Sequence, residues 1–230
     1  MNVLAFDTCF GAVSAAVRWR GADGLWMLRE AYEPLAVGHA ERLLPMIDDV
    51  MAGAGFTFQQ LDRIAVTLGP GGFTGLRVGI AAARAMALAT KLPVVGLTSL
   101  AVMAERADLL VGAARAGRPL VIAVDARRGA LYMQVFGTGG PLSQPALFDV
   151  AEAVHQLPAG PLLIAGSGGA LLAMAASRAE IEIVLPDLQP HARQLAMLAP
   201  GLAPLHSVQP LYLRPADAKP SSQPPLSRRP

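Results

Sequence analysis

The chain has 230 residues, 53% of them hydrophobic, and a formal net charge of +2, enough apolar surface for one bilobal unit or two small domains without staples. Its single cysteine, Cys9, excludes an intramolecular disulfide framework and fits a reducing, cytoplasmic setting. The basic balance does not describe a globular nucleic-acid-binding face. Residues 214–230 hold Arg214, Lys219, Arg228 and Arg229 against Asp217, a local +3, which leaves 15 basic and 16 acidic residues, or −1, on the rest.

From Met1 to Asp7 there is no basic segment, and the apolar run meets an acid early, so no signal peptide is expected. Three apolar runs follow one another at 2–7, 12–18 and 25–32, then a helix over 38–53, a strand at 63–68, a helix over 74–90, a strand at 93–96 and a helix over 98–114. The order is βββαβαβα. It begins again with strands at 120–125 and 130–136, a helix over 149–156, a strand at 162–165, a helix over 169–177, a strand at 182–184 and a helix over 190–199. The uncharged stretch from Gln156 to Ser177 is divided by Pro161 and Gly166-Ser167-Gly168-Gly169, which makes it a buried strand, turn and helix and not a membrane span. Residues 214–230, with five prolines and no apolar periodicity, read as a disordered basic tail.

The two halves also echo each other residue by residue. Leu4-Ala5-Phe6-Asp7-Thr8-Cys9-Phe10-Gly11-Ala12 is similar to Ile122-Ala123-Val124-Asp125-Ala126-Arg127-Arg128-Gly129-Ala130. Each has an apolar strand, an Asp, a short turn with Gly-Ala and a second strand, and each is followed by a strand-to-glycine loop, at 68–72 and 165–169. The reading is a duplication, with a first lobe over 1–116 and a smaller second lobe over 117–213 whose last helix is free to pack back on the first. Paired lobes of this kind resemble the two-lobed actin-like (ASKHA, ribonuclease H-like) α/β fold. In that superfamily the two Asp-bearing hairpins flank nucleotide phosphates, so the resemblance makes Asp7, Thr8, Gly69, Gly71 and Asp125 a weak nucleotide-binding set. Fold alone does not settle activity.

The segment Gly69-Pro70-Gly71-Gly72-Phe73-Thr74-Gly75-Leu76-Arg77-Val78-Gly79 joins a strand to a helix, where backbone amides are able to face an anion. It lacks the lysine of a Walker A loop and the last glycine of a dinucleotide fingerprint. The simpler expectation is a tight turn, with Thr74 capping the helix and Gly75 and Gly79 admitting close packing. The helix over 38–53 carries Ala40, Leu43, Leu44, Met46, Ile47, Val50 and Met51, a stripe wider than one core face needs, which suggests a second buried surface. Pro45 inside it predicts a bend. The helix over 74–90 is small-sided nearly all round.

These segments, with His39-Ala40-Glu41-Arg42-Leu43-Leu44-Pro45, Gly96-Leu97-Thr98-Ser99-Leu100 and Pro210-Leu211-Tyr212-Leu213-Arg214, resemble the bacterial TsaB (YeaZ) family over nearly the whole chain before the tail. That family more often places serine where Gly72 stands. The resemblance implies a non-catalytic partner subunit in tRNA threonylcarbamoyladenosine biosynthesis that dimerises with a TsaD-like catalytic subunit. TsaD transfers threonylcarbamoyl from threonylcarbamoyl-AMP to the tRNA adenosine beside the anticodon. It further implies a TsaE-like ATPase as a third protein, tRNA contacted through the assembled complex, and room for a homodimer when the partner is absent. The expected partner face is His39, Glu41, Leu43, Leu44, Met46, Ile47 and Val50 on the first helix, with Phe73, Thr74, Arg77, Val78, Ala81 and Arg84 on the second.

No catalytic residue, resident cofactor or metal is expected. His39, His155, His191 and His206 have no pair one helical turn apart, as the metal site of the catalytic paralogues requires, and no Gly-x-Ser-x-Gly elbow occurs. Cys9 reads as a small buried hydrophobe. ATP or ADP binding without turnover is compatible with the cleft. The alternative is a stand-alone ATP-binding phosphotransferase or ATPase in which Asp7 and Asp125 position water or Mg²⁺.

Overall fold

The computed structural model describes residues 1–214; the expected tail lies, from residue 215 on, outside the described residues. The first half opens with β1 (Val3–Asp7), β2 (Ala12–Arg20) and β3 (Trp26–Pro34), an antiparallel meander. β4 (Arg63–Thr67) and β5 (Val94–Leu97) continue it in parallel on the far side of β1, giving the order β3-β2-β1-β4-β5. β1 is buried along its whole length because both sheet faces are covered, which is why it reads as an unbroken apolar run. Leu4 and Phe6 face α1 (His39–Ala54) and α2 (Phe73–Thr90) in a cluster with Val13, Val17, Ile64 and Val66.

The second half repeats the plan with β6 (Leu120–Asp125), β7 (Ala130–Gly137), the two-residue β8 (Gly140–Pro141), β9 (Ala146–Asp149), α4 (Val150–His155), β10 (Leu162–Ala165), α5 (Gly169–Ala176) and β11 (Ile181–Ile183). Sequence pattern predicts two strands before the helix; the structure adds β9, antiparallel to β7 with Leu131 opposite Phe148. Its four residues run straight into α4, whose first turn Asp149 caps by accepting the Glu152 N–H at 2.8 Å, so Phe148-Asp149 reads as a helix start in sequence. With β9 in place, the order β11-β10-β6-β7-β9 matches that of the first sheet. The fold is the expected actin-like one.

Two helices link the sheets by exchange. α3 (Ser99–Val111), at the end of the first half, sets Leu100, Met103, Ala104 and Ala107 against Leu120, Ile122, Phe136 and Leu163 of the second sheet. α6 (Ala192–Leu198), at the end of the second half, sets Ala192, Leu195 and Ala196 against Val3, Ala5, Ala16 and Ala65 of the first. Alanines on both sides bring this helix close to the sheet. The 116/117 division therefore separates the strands but not the helices that cover them.

Because Leu195 is fully buried against the first sheet, Leu195→Ala should cost about 2–5 kcal/mol in denaturant unfolding. Amide exchange in β1, over a hundred residues away in sequence, should accelerate with it.

Candidate functional site

α2 begins on the β1–β2 turn. Gly72 N–H donates to Cys9 O at 2.7 Å, and Thr8 Oγ1 donates to Gly75 O at 2.7 Å. A Cβ on Gly71 would lie 2.5 Å from Cys9 O, and one on Gly79 would lie 2.6 Å from Thr8 Oγ1. A Cβ on Gly75 would collide with Thr8 O. The glycines thus seat the helix on the turn, and the space a phosphate would need against Gly71 and Gly75 is filled by the chain's own backbone. Thr74 does not cap the helix as expected. Gly72 is the N-cap, without a side-chain bond, and Thr74 stands exposed inside the first turn.

Beneath this seat lies Asp7, fully buried. Its Oδ1 accepts from Thr67 Oγ1 at 2.5 Å and from the Cys9 N–H at 3.3 Å, while Cys9 Sγ donates to Thr67 Oγ1 at 3.2 Å. Oδ2 has no partner. Burial raises the carboxyl from its ordinary 3.8 to about 6, against the opposing pull of the Thr67 and Cys9 hydrogen bonds and the nearby His39 charge. Burial, with the Asp7 charge beside it, also pushes the Cys9 thiol well above its usual range, which removes it as a nucleophile at neutral pH.

Asp125 is in a different situation. It is exposed, its Oδ1 accepts the Arg127 N–H at 2.7 Å, and its own N–H donates to Ser167 Oγ at 3.1 Å. Between the two hairpins Phe10 packs into both hydrophobic clusters, 6.3 Å from Tyr132, and the Gly11 N–H donates to Gln189 Oε1 at 2.9 Å. One Asp is sealed and the other is solvated, so they do not form the paired carboxylates a metal between lobes would use. Among the described residues no group of three His, Cys, Asp or Glu side chains is placed to hold a metal ion.

The outer side of the first lobe carries an open apolar groove between α1 and α2, about 380 Å³, lined by Ala40, Leu43, Leu44, Val78, Ala81, Ala82, Ala85 and Met86. Leu44 is 52% exposed at its rim. Of the expected partner face, Leu43, Leu44, Val78 and Ala81 meet here. Met46, Ile47 and Val50 do not: they are buried beneath α1 in the lobe's own core, so the wide stripe is one deep core face plus a narrow outer edge. Leu43 is the floor of the groove and is itself fully buried. α1 runs through Pro45 without interruption. His39 Nε2 lies 2.9 Å from Phe10 O, so it braces the β1–β2 turn, while Glu41 is exposed in the first turn.

Phe73, Arg77 and Arg84 line α2's other edge, where the chain's final segment passes. Arg77 Nε donates to Tyr212 Oη at 2.9 Å with its guanidinium 3.5 Å above the Phe73 ring, and Arg84 Nε donates to Val208 O at 2.7 Å. Leu211 N–H donates to Leu68 O at 2.6 Å. Arg77 therefore serves the final segment and not the glycine turn. Ala40, Ala82, Ala85 and Met86 escape the expected partner face, although Ala40 stands in the apolar stripe of α1 and the small-sided run of α2 is the signal that would have found the other three.

A family model described as "TsaD: tRNA N6-adenosine threonylcarbamoyltransferase" matches residues 33–189. The solved structure of YeaZ from Pseudomonas aeruginosa superposes with a TM-score of 0.78 at 28% identity, covering 92% of this chain and 99% of that one. The chain belongs to the TsaB (YeaZ) family. The TsaB proteins of Escherichia coli and Haemophilus influenzae are each 36% identical over 132 residues, 57% of this chain. The chain's match spans about half the length of these curated relatives, 53% and 52%. Rv3421c of Mycobacterium tuberculosis is 35% identical over 225 residues, covering 95% of this chain and 94% of that one. The TsaB relatives are named for tRNA threonylcarbamoyladenosine biosynthesis. Among the described residues no helix is long and apolar enough to cross a membrane.

Two consequences of the buried seat are measurable. Asp7 holds its proton more tightly folded, at about 6, than its ordinary 3.8. Its contribution to stability is therefore fully present below about pH 4 and lost as pH rises through about 6. Asp7→Asn should flatten that part of the stability–pH profile and gain on the wild type above pH 6, by a difference on the order of 3 kcal/mol in urea melts. Gly75→Ala should destabilise by about 1–3 kcal/mol through its clash with Thr8, whereas Gly139→Ala, with nothing within 4 Å, should be neutral in the same melts.

Proposed function

We propose that this chain is a non-catalytic subunit whose α1–α2 groove holds a TsaD-like catalytic subunit. The partner transfers threonylcarbamoyl from threonylcarbamoyl-AMP to the tRNA adenosine beside the anticodon. The observation that carries this reading is the groove itself, an open surface lined only by alanine, leucine, valine and methionine, which suits a helix packing into it. Its membership of the TsaB family supplies the pathway. The partner's helices would fill the space between Leu44 on α1 and Ala81 and Ala85 on α2, with small residues letting the backbones approach closely. A TsaE-like ATPase is the third component of the reading, and tRNA meets the chain within the assembled complex.

The sealed Asp7 and the filled glycine loop weigh against independent phosphotransfer, since that chemistry requires an accessible carboxylate and phosphate-facing amides. ATP or ADP bound without turnover remains compatible with the reading, with Asp125 and the 126–129 turn as the open side of the cleft.

Co-purification with a TsaD-like subunit tests the interface. Leu44→Asp or Ala81→Arg places a charge in the groove, and each should weaken complex formation by roughly 100-fold or more, equivalent to about 3 kcal/mol, with unfolding midpoints close to wild type. Full retention of the complex by both folded variants would put the partner elsewhere. If the isolated chain is dimeric and both variants make it monomeric, the same groove serves the homodimer.

A further inference from the structure

One cross-strand row of the first sheet reads Leu28, Arg18, Val3, Arg63. Directly paired residues share a face, and Val3 and Leu28 place this row on the face that α6 covers. Two arginines thus stand on either side of Val3. Arg63 turns Nη1 to the backbone just beyond α6, donating to Ala199 O at 2.7 Å and Leu202 O at 3.0 Å, and its Nε is buried without a partner. Arg18 is 7% exposed, and both its Nε and its Nη1 are buried without a partner among the described residues.

Among the described residues no carboxylate compensates Arg18. The acids on surrounding elements are engaged elsewhere: Asp23 accepts the Leu25 N–H, Asp62 accepts the Asn2 N–H, and Glu30 accepts from Arg193 Nη1. The Arg18 guanidinium stacks on the Trp26 ring, whose centroid lies 3.5 Å from its central carbon. Stacking uses the flat face of the guanidinium and leaves its in-plane N–H donors unused. Arginine stays charged when buried, and a buried cation with unmade hydrogen bonds is among the more costly features a fold retains. Trp26 is itself 48% exposed. It opens the edge strand β3, paired with Arg20, and one side of its ring faces solvent.

We propose that Arg18 and Arg63 form a subsite for an oxyanion of the phosphate class, entered past the Trp26 ring, with the unused in-plane donors as its hydrogen-bond partners. Two cations without a local anion match a multiply charged tetrahedral group better than a single carboxylate. The site lies on the opposite sheet face from the α1–α2 groove and does not depend on the partner reading.

The chain has two tryptophans, so Trp19→Phe leaves Trp26 as the sole reporter. Inorganic phosphate titrated into this variant, with potassium chloride matching the ionic strength, should give a saturable change in Trp26 emission and a rise in the melting temperature. Arg18→Met in the same background should weaken the apparent affinity by roughly tenfold or more, and Arg18→Lys, which keeps the charge but loses the planar donors, by less. A short single-stranded oligonucleotide binding more tightly than phosphate would identify a phosphodiester as the source, and a weaker response a free phosphate. A response equal to that of chloride, or one unchanged in both Arg18 variants, would overturn the site. Should Arg18→Met fail to fold, the Lys variant and the phosphate-dependent melting shift decide the matter.

Discussion

The arrangement rests on the contact between the start of α2 and the β1–β2 turn. Gly71, Gly75 and Gly79 allow the helix to descend onto Thr8 and Cys9, where the Gly72 N–H meets Cys9 O. That descent buries Asp7, fills the space a phosphate would need against Gly71 and Gly75, and sets the distance between α2 and α1. A groove of about 380 Å³ is what remains on the outside. One steric condition, the absence of Cβ atoms along one edge of α2, thereby closes the inner cleft and shapes the outer surface. A glycine-rich strand-to-helix loop is in this chain a packing device, which agrees with the missing lysine and the missing last glycine of the phosphate-binding patterns.

A second constraint joins the halves. α3 and α6 each cover the sheet of the other half, so neither sheet is complete without chain from the far side of the duplication. Phe10, shared by two clusters, and the Gln189 bond to Gly11 tie the same hinge region. The final segment adds a further strap, running from Leu205 beside Val94 to Tyr212 beside Arg77. It occupies the edge of α2 that carries Phe73, Arg77 and Arg84, and so leaves the groove between α1 and α2 open, with Leu43 of α1 as its floor.

Much of this was legible in the sequence. Apolar periodicity located the main helices and nine of the eleven described strands, all but β8 and β9, to within two or three residues at most ends, and the repeated Asp-turn-Gly-Ala pattern revealed the duplication. β9 was hidden because four residues running into a capped helix carry no alternation of their own. The depth of α1 was misjudged for a related reason. Periodicity shows that Leu43, Met46, Ile47 and Val50 share a side with Leu44 nearby, but not whether that side meets one core or two surfaces, and only packing shows that they are buried. The sealing of Asp7 could not be read either, since a buried carboxylate and a catalytic one look alike beside a glycine turn. Arg18 was invisible altogether: an arginine near the end of an apolar strand reads as a solvent-facing residue until its neighbours across the sheet are known.

The central claim is that this chain holds a catalytic partner and performs no transfer of its own. It is tested most directly by reconstituting tRNA threonylcarbamoylation with a TsaD-like subunit, threonylcarbamoyl-AMP and tRNA, with and without this chain. Formation of modified adenosine that requires both proteins, and that persists when Asp7→Asn or Asp125→Asn replaces the wild-type chain, is the predicted result. Full-rate modification by the TsaD-like subunit alone, or activity abolished by either Asp substitution in a chain that still binds its partner, would contradict it.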